Sequence, residues 1–377
     1  MRKSTPLFIA FLFLLTACAQ KIDEGAEPMK IGGIFALSGL GASQGQQELN
    51  AAILAVEEVN AKGGIDGHPL KFIPEDVSLD KLNKAASAAH KLIDVDQVVA
   101  MVGTTWDEPA QAILPIIEDA KVPMVGPNQT RMLETEKSYE YFFNVWYDNA
   151  VGIRELLSFA KSHDIKNLAI IRPIPAGFYQ YVSDRTAEIA PEFGIKIVSD
   201  IAINDPAPSD YRTPLSKTMQ KKPDAIVMVL NGGTACTFLK QVREMGIGIP
   251  VLSTEAAGDA YALTTCPDLM ENLYVSYPKE SEQYAGFAKR YEARFGTPPQ
   301  TPSTVTAYDA VRVVAEGLKK TTGQGGSVLR DVISRLTLDG VSQPNISFDD
   351  IGYAYTPPDV YEMRTVRSGA FILKEVK

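Results

Sequence analysis

MVGTTWDEPAQAILPIIEDAKVPMVGPNQT, residues 101–130, decides the fold, because residues 228–257 repeat its grammar as MVLNGGTACTFLKQVREMGIGIPVLSTEAA. Each stretch runs from an apolar strand through a small-residue loop, a helix and a proline to a second apolar strand and a polar loop. Met101 to Pro123 and Met228 to Pro250 both span 22 residues. A strand followed by a helix of that length is a βα unit, and βα units build parallel sheets. Open parallel sheets bind ligands beyond the carboxyl ends of their strands. Two such sheets facing each other bring four loops to one cleft: 103–109, 126–131, 231–236 and 253–258. The spacing predicts an α/β protein that holds a small molecule in that cleft.

Upstream, Lys30 to Leu37 reads as the first strand. Gln46 to Ala61 reads as a helix, with Leu49, Ile53, Val56 and Val59 at helical spacing and Gly63-Gly64 as its stop. The intervening Gly39-Leu40-Gly41-Ala42-Ser43-Gln44-Gly45 mimics a dinucleotide-binding loop, but a glycine string alone is a weak signal. Ile65 to Asp76 gives a turn and a second strand, Asn83 to Val95 a second helix, and Val98 to Val102 opens the first repeat. Tyr139 to Trp146 leaves this lobe. Ala150 to Ser162 is a new amphipathic helix, followed by strand 166–171, helix 178–193, strand 195–203, helix 211–221 and strand 225–230. Leu273 to Tyr277 ends at Pro278 as a crossing back, and 281–295 and 303–320 read as helices separated by breaks at 296–302 and 323–326. The tail from Ile346 alternates as antiparallel strands do. The lobes are therefore expected as 29–146 plus 278–345 and 147–277 plus 346–377.

A chain of 377 residues is long for one domain, and 45% hydrophobic with 22% charged residues is an ordinary globular balance. The net charge of −9 becomes −11 without residues 1–17, which carry Arg2 and Lys3. An acidic chain without clustered Lys and Arg argues against a nucleic-acid partner. Arg2-Lys3 followed by apolar Leu7 to Leu15 reads as a signal peptide over 1–17, too short to span a membrane. Leu15-Thr16-Ala17-Cys18 resembles the bacterial lipobox, which implies cleavage before Cys18 and a lipid on its thiol; the alternative is an ordinary signal peptide with an incidental cysteine. Residues 18–28 then form a polar tether, and the location is extracytoplasmic, anchored to a membrane by lipid. Cys236 and Cys266 remain, an even number in an oxidising compartment, so either a disulfide or two free buried thiols fits.

Several segments, in order, resemble the type I periplasmic solute-binding proteins, the branched-chain amino-acid receptor group of ABC importers. They are KIGGIFALSGLGASQG, AVEEVNAKGGIDGHPLKFIPED, VVAMVG, VPMVGPNQT, Asp148 with Gly152, Asp210-Tyr211, Pro223-Asp224 and ISFDDIGYAY. NAKGGIDGHPL is the most specific of them. The resemblance implies two Rossmann-like lobes joined by three crossover strands, hinge closure over a ligand, permease subunits in the inner membrane as partners, and no cofactor. It also recasts the glycine loop as a structural turn lining the cleft.

Carried over by position, Thr104, Thr105 and Thr130 would offer hydroxyls to a ligand carboxylate, with Asn128 and Gln129 nearby. Glu255 would face a ligand ammonium, Phe178 or Tyr179 would stack on the ligand, and Asn231 and Thr234 would come from the opposing loop. The chain departs from the family at Trp106-Asp107-Glu108-Pro109, where a small Ser-type residue is usual. Asp107 would repel a ligand carboxylate unless it points away or meets a cation, and Trp106 narrows the pocket or offers an aromatic face. Aromatic, cationic and amide ligands stay open. Each residue has a plainer role too: Thr104 and Thr105 as helix caps, Glu255 as a solvated acid, Trp106 as surface packing, Phe178 and Tyr179 as core.

Enzyme readings lack parts. His68, His90 and His163 are scattered outside H-E-x-x-H or Cys-His spacing, and there is neither a G-x-S-x-G elbow nor a P-loop. A ligand sensor or envelope scaffold on the same fold, without transport, is the remaining alternative.

Overall fold

The computed structural model describes residues 21–373, apart from 24, 40, 132–138, 175–176, 206–207, 258–259, 272 and 368–369. The expected signal peptide and Cys18 lie outside the described residues. The first lobe opens with β1 (Met29–Phe35), α1 (Ala42–Ala61) and β2 (Leu70–Asp76). A 3-10 run over Leu79–Lys84 leads into α2 (Ala85–His90) and a π turn over Lys91–Val95. β3 (Ala100–Gly103), α3 (Asp107–Ala120), β4 (Met124–Gly126) and β5 (Phe142–Asn144) complete its sheet.

The second lobe runs α4 (Asn149–Ser162), β6 (Asn167–Pro173), α5 (Gly177–Ile189), β7 (Lys196–Ile203), α6 (Arg212–Met219) and β8 (Ala225–Met228). It continues with α7 (Gly232–Glu244), β9 (Val251–Thr254), the short α8 (Ala260–Thr265) and α9 (Pro267–Met270), and β10 (Leu273–Pro278). The chain returns to the first lobe as α10 (Tyr284–Phe295), α11 (Pro302–Lys320) and α12 (Gly326–Ile333). β11 (Tyr361–Arg367) and β12 (Ala370–Leu373) then join the second sheet.

The sheets are ordered β2-β1-β3-β4-β5 and β7-β6-β8-β9-β10-β11-β12. The first is parallel throughout; the second is parallel to β10, after which β11 and β12 pair antiparallel. The first five strands of each thus follow one winding order. The two repeats occupy matching places in it, β3-α3-β4 and β8-α7-β9, with Met101 beside Met124 and Ile226 beside Val251. Both sheets reverse their strand order next to the first strand of the repeat, and the crevice there is where doubly wound sheets take ligands.

α1 lies on α11, where Leu49, Ala52, Val56 and Val59 share a core with Ala307, Val311, Val314 and Leu318. The alanines let the two helices approach closely. Ile34, Met101, Ile113 and Ile117 build the core on the sheet's other face. α12 falls directly after the expected break at 323–326; its buried Leu329 and Ile333, one turn apart, show why it docks.

Two expected boundaries move. Residues 346–355 stay with the first lobe: the Asn144 N–H donates to Gly352 O, the Ala354 N–H donates to Asn144 O, and Ile346 and Ala354 are buried in its core. These bonds lay the segment along β5, so the chain passes to the second lobe after Tyr355 and not at 346. The tether also ends early, because Asp23 N–H donates to Gly67 O and Met29 N–H to Pro69 O, holding Asp23 and Met29 on the 64–69 turn. At the crossovers, Trp146, Tyr147, Val360 and Tyr361 form a small aromatic core of their own. Cys236 in α7 and Cys266 before α9 are joined by a disulfide, with Cα atoms 5.9 Å apart.

Candidate ligand cleft

A cleft of about 850 Å³, counting its open mouth, lies between the carboxyl ends of the two sheets. The β3–α3 loop supplies Thr105, Trp106, Asp107 and Glu108, and the loop after β4 supplies Asn128 and Thr130. Gln44 from the first turn of α1 and Thr301, Pro302 and Ser303 at the start of α11 finish that wall. Opposite stand Trp146 at a crossover, Phe178 and Tyr179 in the first turn of α5, Asn231 after β8, and Glu255 and Ala256 after β9.

Of the residues expected from sequence, the structure brings together Thr105, Trp106, Asp107, Asn128, Thr130, Phe178, Tyr179, Asn231 and Glu255 around this space. Thr104, Gln129 and Thr234 are not on its surface. Thr104 and Gln129 are fully buried behind it, where the Gln129 amide donates to Thr104 O at 2.6 Å and the Thr104 hydroxyl donates to Trp106 O. Thr234 instead donates to Asn231 O and Oδ1 at the start of α7. Glu108 and Gln44 belong to loops expected at the cleft, 103–109 and the glycine loop, without being named as site residues; Trp146 and 301–303 were not expected. Glu108 neighbours Asp107 and Trp146 ends the crossover strand, so both had a signal; α11 carries none, because only tertiary packing brings its start here.

The Thr105 and Thr130 hydroxyls on the first-lobe wall are committed to the protein's own acids. Thr105 Oγ1 donates to Glu48 Oε2 at 2.6 Å and accepts from the Ala36 N–H at 3.0 Å. Asp107, in the first turn of α3, accepts from the Thr130 N–H at 2.9 Å and from the Thr130 hydroxyl at 2.8 Å, one per carboxyl oxygen. This turns Asp107 toward Thr130 and ties the β4 loop to α3. Burial pushes Asp107 up to about 7 against those two bonds, and Glu108 beside it pushes the same way. Burial likewise raises Glu48 to about 7, against hydrogen bonds from Thr105, Ser303 and Gln44.

Across the cleft, Trp146 Nε1 donates to Asn149 Oδ1 at 3.3 Å, and Asn149 Nδ2 donates to Glu255 Oε1 at 3.0 Å. Glu255 too is pushed to about 7 by burial, opposed by its own backbone N–H and by Asn149. Phe178 and Tyr179 meet edge to face at 5.7 Å, and burial with Glu108 nearby holds the Tyr179 phenol above its usual range. Glu108 spans the lobes: its Oε1 accepts the N–H of Gly177, the first residue of α5, at 2.9 Å. The glycine loop makes a turn, with Gly41 at φ 90° and its Cα against the Trp106 indole, where a Cβ would meet Nε1 at 2.7 Å. Among the described residues, no group of three or more His, Cys, Asp or Glu could hold a metal ion.

Comparison with known proteins agrees with this architecture. The sequence model of the periplasmic binding protein family matches residues 28–368. The leucine-, isoleucine-, valine-, threonine- and alanine-binding protein of Pseudomonas aeruginosa is 24% identical over 360 residues, 93% of this chain and 94% of that one. The isoleucine complex of a branched-chain amino acid transporter substrate-binding protein from Streptococcus pneumoniae superposes with a TM-score of 0.80 at 24% identity, covering 92% of this chain and 98% of that one. A solute-binding protein of an ABC transporter from R. palustris, in complex with benzoate, gives 0.81 at 18% identity, covering 92% and 95%. With two lobes wound alike, a cleft at their switch points and a family match across nearly all of the described chain, the protein belongs to the type I periplasmic binding proteins, in the branched-chain amino-acid receptor group.

Proposed function

We propose that this chain is a lipid-anchored extracytoplasmic receptor that captures a small polar molecule between its lobes and presents the closed form to an ABC permease. The observation that carries the reading is the cleft itself, which is walled by aromatic rings and crossed by a lobe-to-lobe bond from Glu108 to Gly177. Aromatic walls with a few placed polar groups are the make-up of a small-molecule site, and we take the ligand to be of amino-acid, amide or aromatic-acid size. The relatives named for amino acids and the neighbour holding benzoate support that size class. A ligand touching both walls favours the closed arrangement by its differential affinity, and the permease reads that arrangement. Cys18 would carry the lipid.

A thermal-shift screen of the mature protein against amino acids, amides, polyamines and aromatic acids tests the reading, since binding to the native state alone raises the melting temperature. The expected result is a clear shift with one chemical class. In the Glu255→Gln variant the affinity for an amine-bearing ligand should fall about tenfold or more, with the fold intact. An unchanged affinity by calorimetry would remove Glu255 from the site.

A further inference from the structure

The cleft has an unusual charge balance. Three carboxyls line it, Asp107, Glu108 and Glu255, and no lysine, arginine or histidine does so among the described residues. The nearby Arg131 is turned toward Asp349 at 3.0 Å and over the Tyr353 ring at 4.9 Å. The threonine donors that would welcome a ligand carboxylate are already occupied by the chain's own. The Thr130 N–H and hydroxyl are both given to Asp107, and the Thr105 hydroxyl to Glu48. The electropositive starts of α3 and α5 are covered as well, the first by Asp107 and Glu108 in its opening turn, the second by Glu108 accepting from Gly177. Asp107 therefore takes the two donors that an incoming carboxylate would need.

What remains open in the cleft is acceptor oxygen, the aromatic surface of Trp106, Trp146, Phe178 and Tyr179, and a single buried indole donor without a partner among the described residues, Trp106 Nε1. Rings of this kind attract cations through their faces. We propose that the ligand is an organic cation without a carboxylate, an amine or quaternary ammonium on an apolar body, its charged head among Asp107, Glu108 and Glu255 and its body against the tryptophans and Phe178. The assignment rests on the receptor reading above and narrows it. Burial keeps Asp107 and Glu255 near 7, and a cation arriving between them favours their ionised forms.

The test is calorimetry on the full mature protein, unfolded and refolded to release any carried-over ligand, with matched probes: phenethylamine against phenylalanine, choline against betaine, putrescine against ornithine, and benzoate alone. At least one amine should bind, and about tenfold or more tighter than its carboxylated partner. The near-isosteric Asp107→Asn should weaken that amine about tenfold; Glu255→Gln serves the same purpose if Asp107→Asn fails to fold by its melting curve. Tighter binding of a carboxylated partner, or of benzoate, overturns the cation assignment and leaves the receptor standing. Silence from all seven probes overturns the assignment and removes the support for a receptor as well.

Discussion

Glu48, Asp107 and Glu255 are buried carboxyls held by hydroxyl, amide and backbone donors, and each is raised to about 7. An acid whose folded pKa lies above its unfolded value stabilises the fold when protonated. That contribution is complete below the ordinary carboxylate range and is lost as pH climbs through about 7. Surface acids such as Asp76, Glu57 and Asp224 are shifted downward and act only at lower pH. The ligand-free protein should therefore melt several degrees higher at pH 5 than at pH 8 by calorimetry, and Glu48→Gln should flatten that slope. A flat profile in the parent protein would show that the three acids are not held as described. Residue chemistry was partly legible beforehand. Asp107 stood out because a loop that otherwise offers hydroxyls contains an acid, but that it turns to Thr130 follows from tertiary geometry. Glu48 gave no signal, since an acid within a helix sequence reads as solvent-facing until α11 and the β3 loop close over it.

At the scale of elements, the disulfide fastens α7 to the start of α9 across a sequence separation of 30 residues. Closing a loop of that length restricts the unfolded chain by about 3–4 kcal/mol. Reduction should lower the unfolding free energy by that order in a urea titration monitored with and without dithiothreitol, leaving the first lobe's sheet intact. An identical midpoint under both conditions would refute the restraint. Elements were read best where one repeat checked another: β3-α3-β4 and β8-α7-β9 have strands and helices where the two 22-residue intervals place them. Reading failed where local signals misled. The break at 323–326 is present as a turn, but nothing in the reading named α12, the helix that it leads into. The antiparallel strands expected from Ile346 form only as β11 and β12, whereas 346–355 makes isolated bridges, the one beside β5 parallel, because alternation cannot say which edge a segment meets.

For the whole molecule, the bond that the Gly177 N–H donates to Glu108 is a direct tie between the lobes, beside the crossovers and the Arg131–Asp148 pair. A hydrogen bond to a charged acceptor contributes about 1.5–3 kcal/mol, enough to move an open–closed equilibrium by about one to two orders of magnitude. Glu108→Ala should raise the ligand-free radius of gyration in small-angle scattering, and a saturating ligand should restore the parent value. No change without ligand would mean that the crossovers and the Arg131–Asp148 pair set the lobe angle.

The chain's path also bears on how the molecule is made. The first lobe's strands occupy residues 29–144, but the helices that cover α1 come from 284–320 and its edge segment from 346–355. A ribosome delivers the front of the chain first, so β1 to β5 emerge with the apolar side of α1 bare while the entire second lobe is still being synthesised. The second lobe is continuous from Asn149 to Pro278 and lacks only its two antiparallel edge strands at that stage. Contacts that span more than two hundred residues form late. The part written first therefore waits longest for its partners, and the apolar side of α1 is what stays uncovered in the meantime.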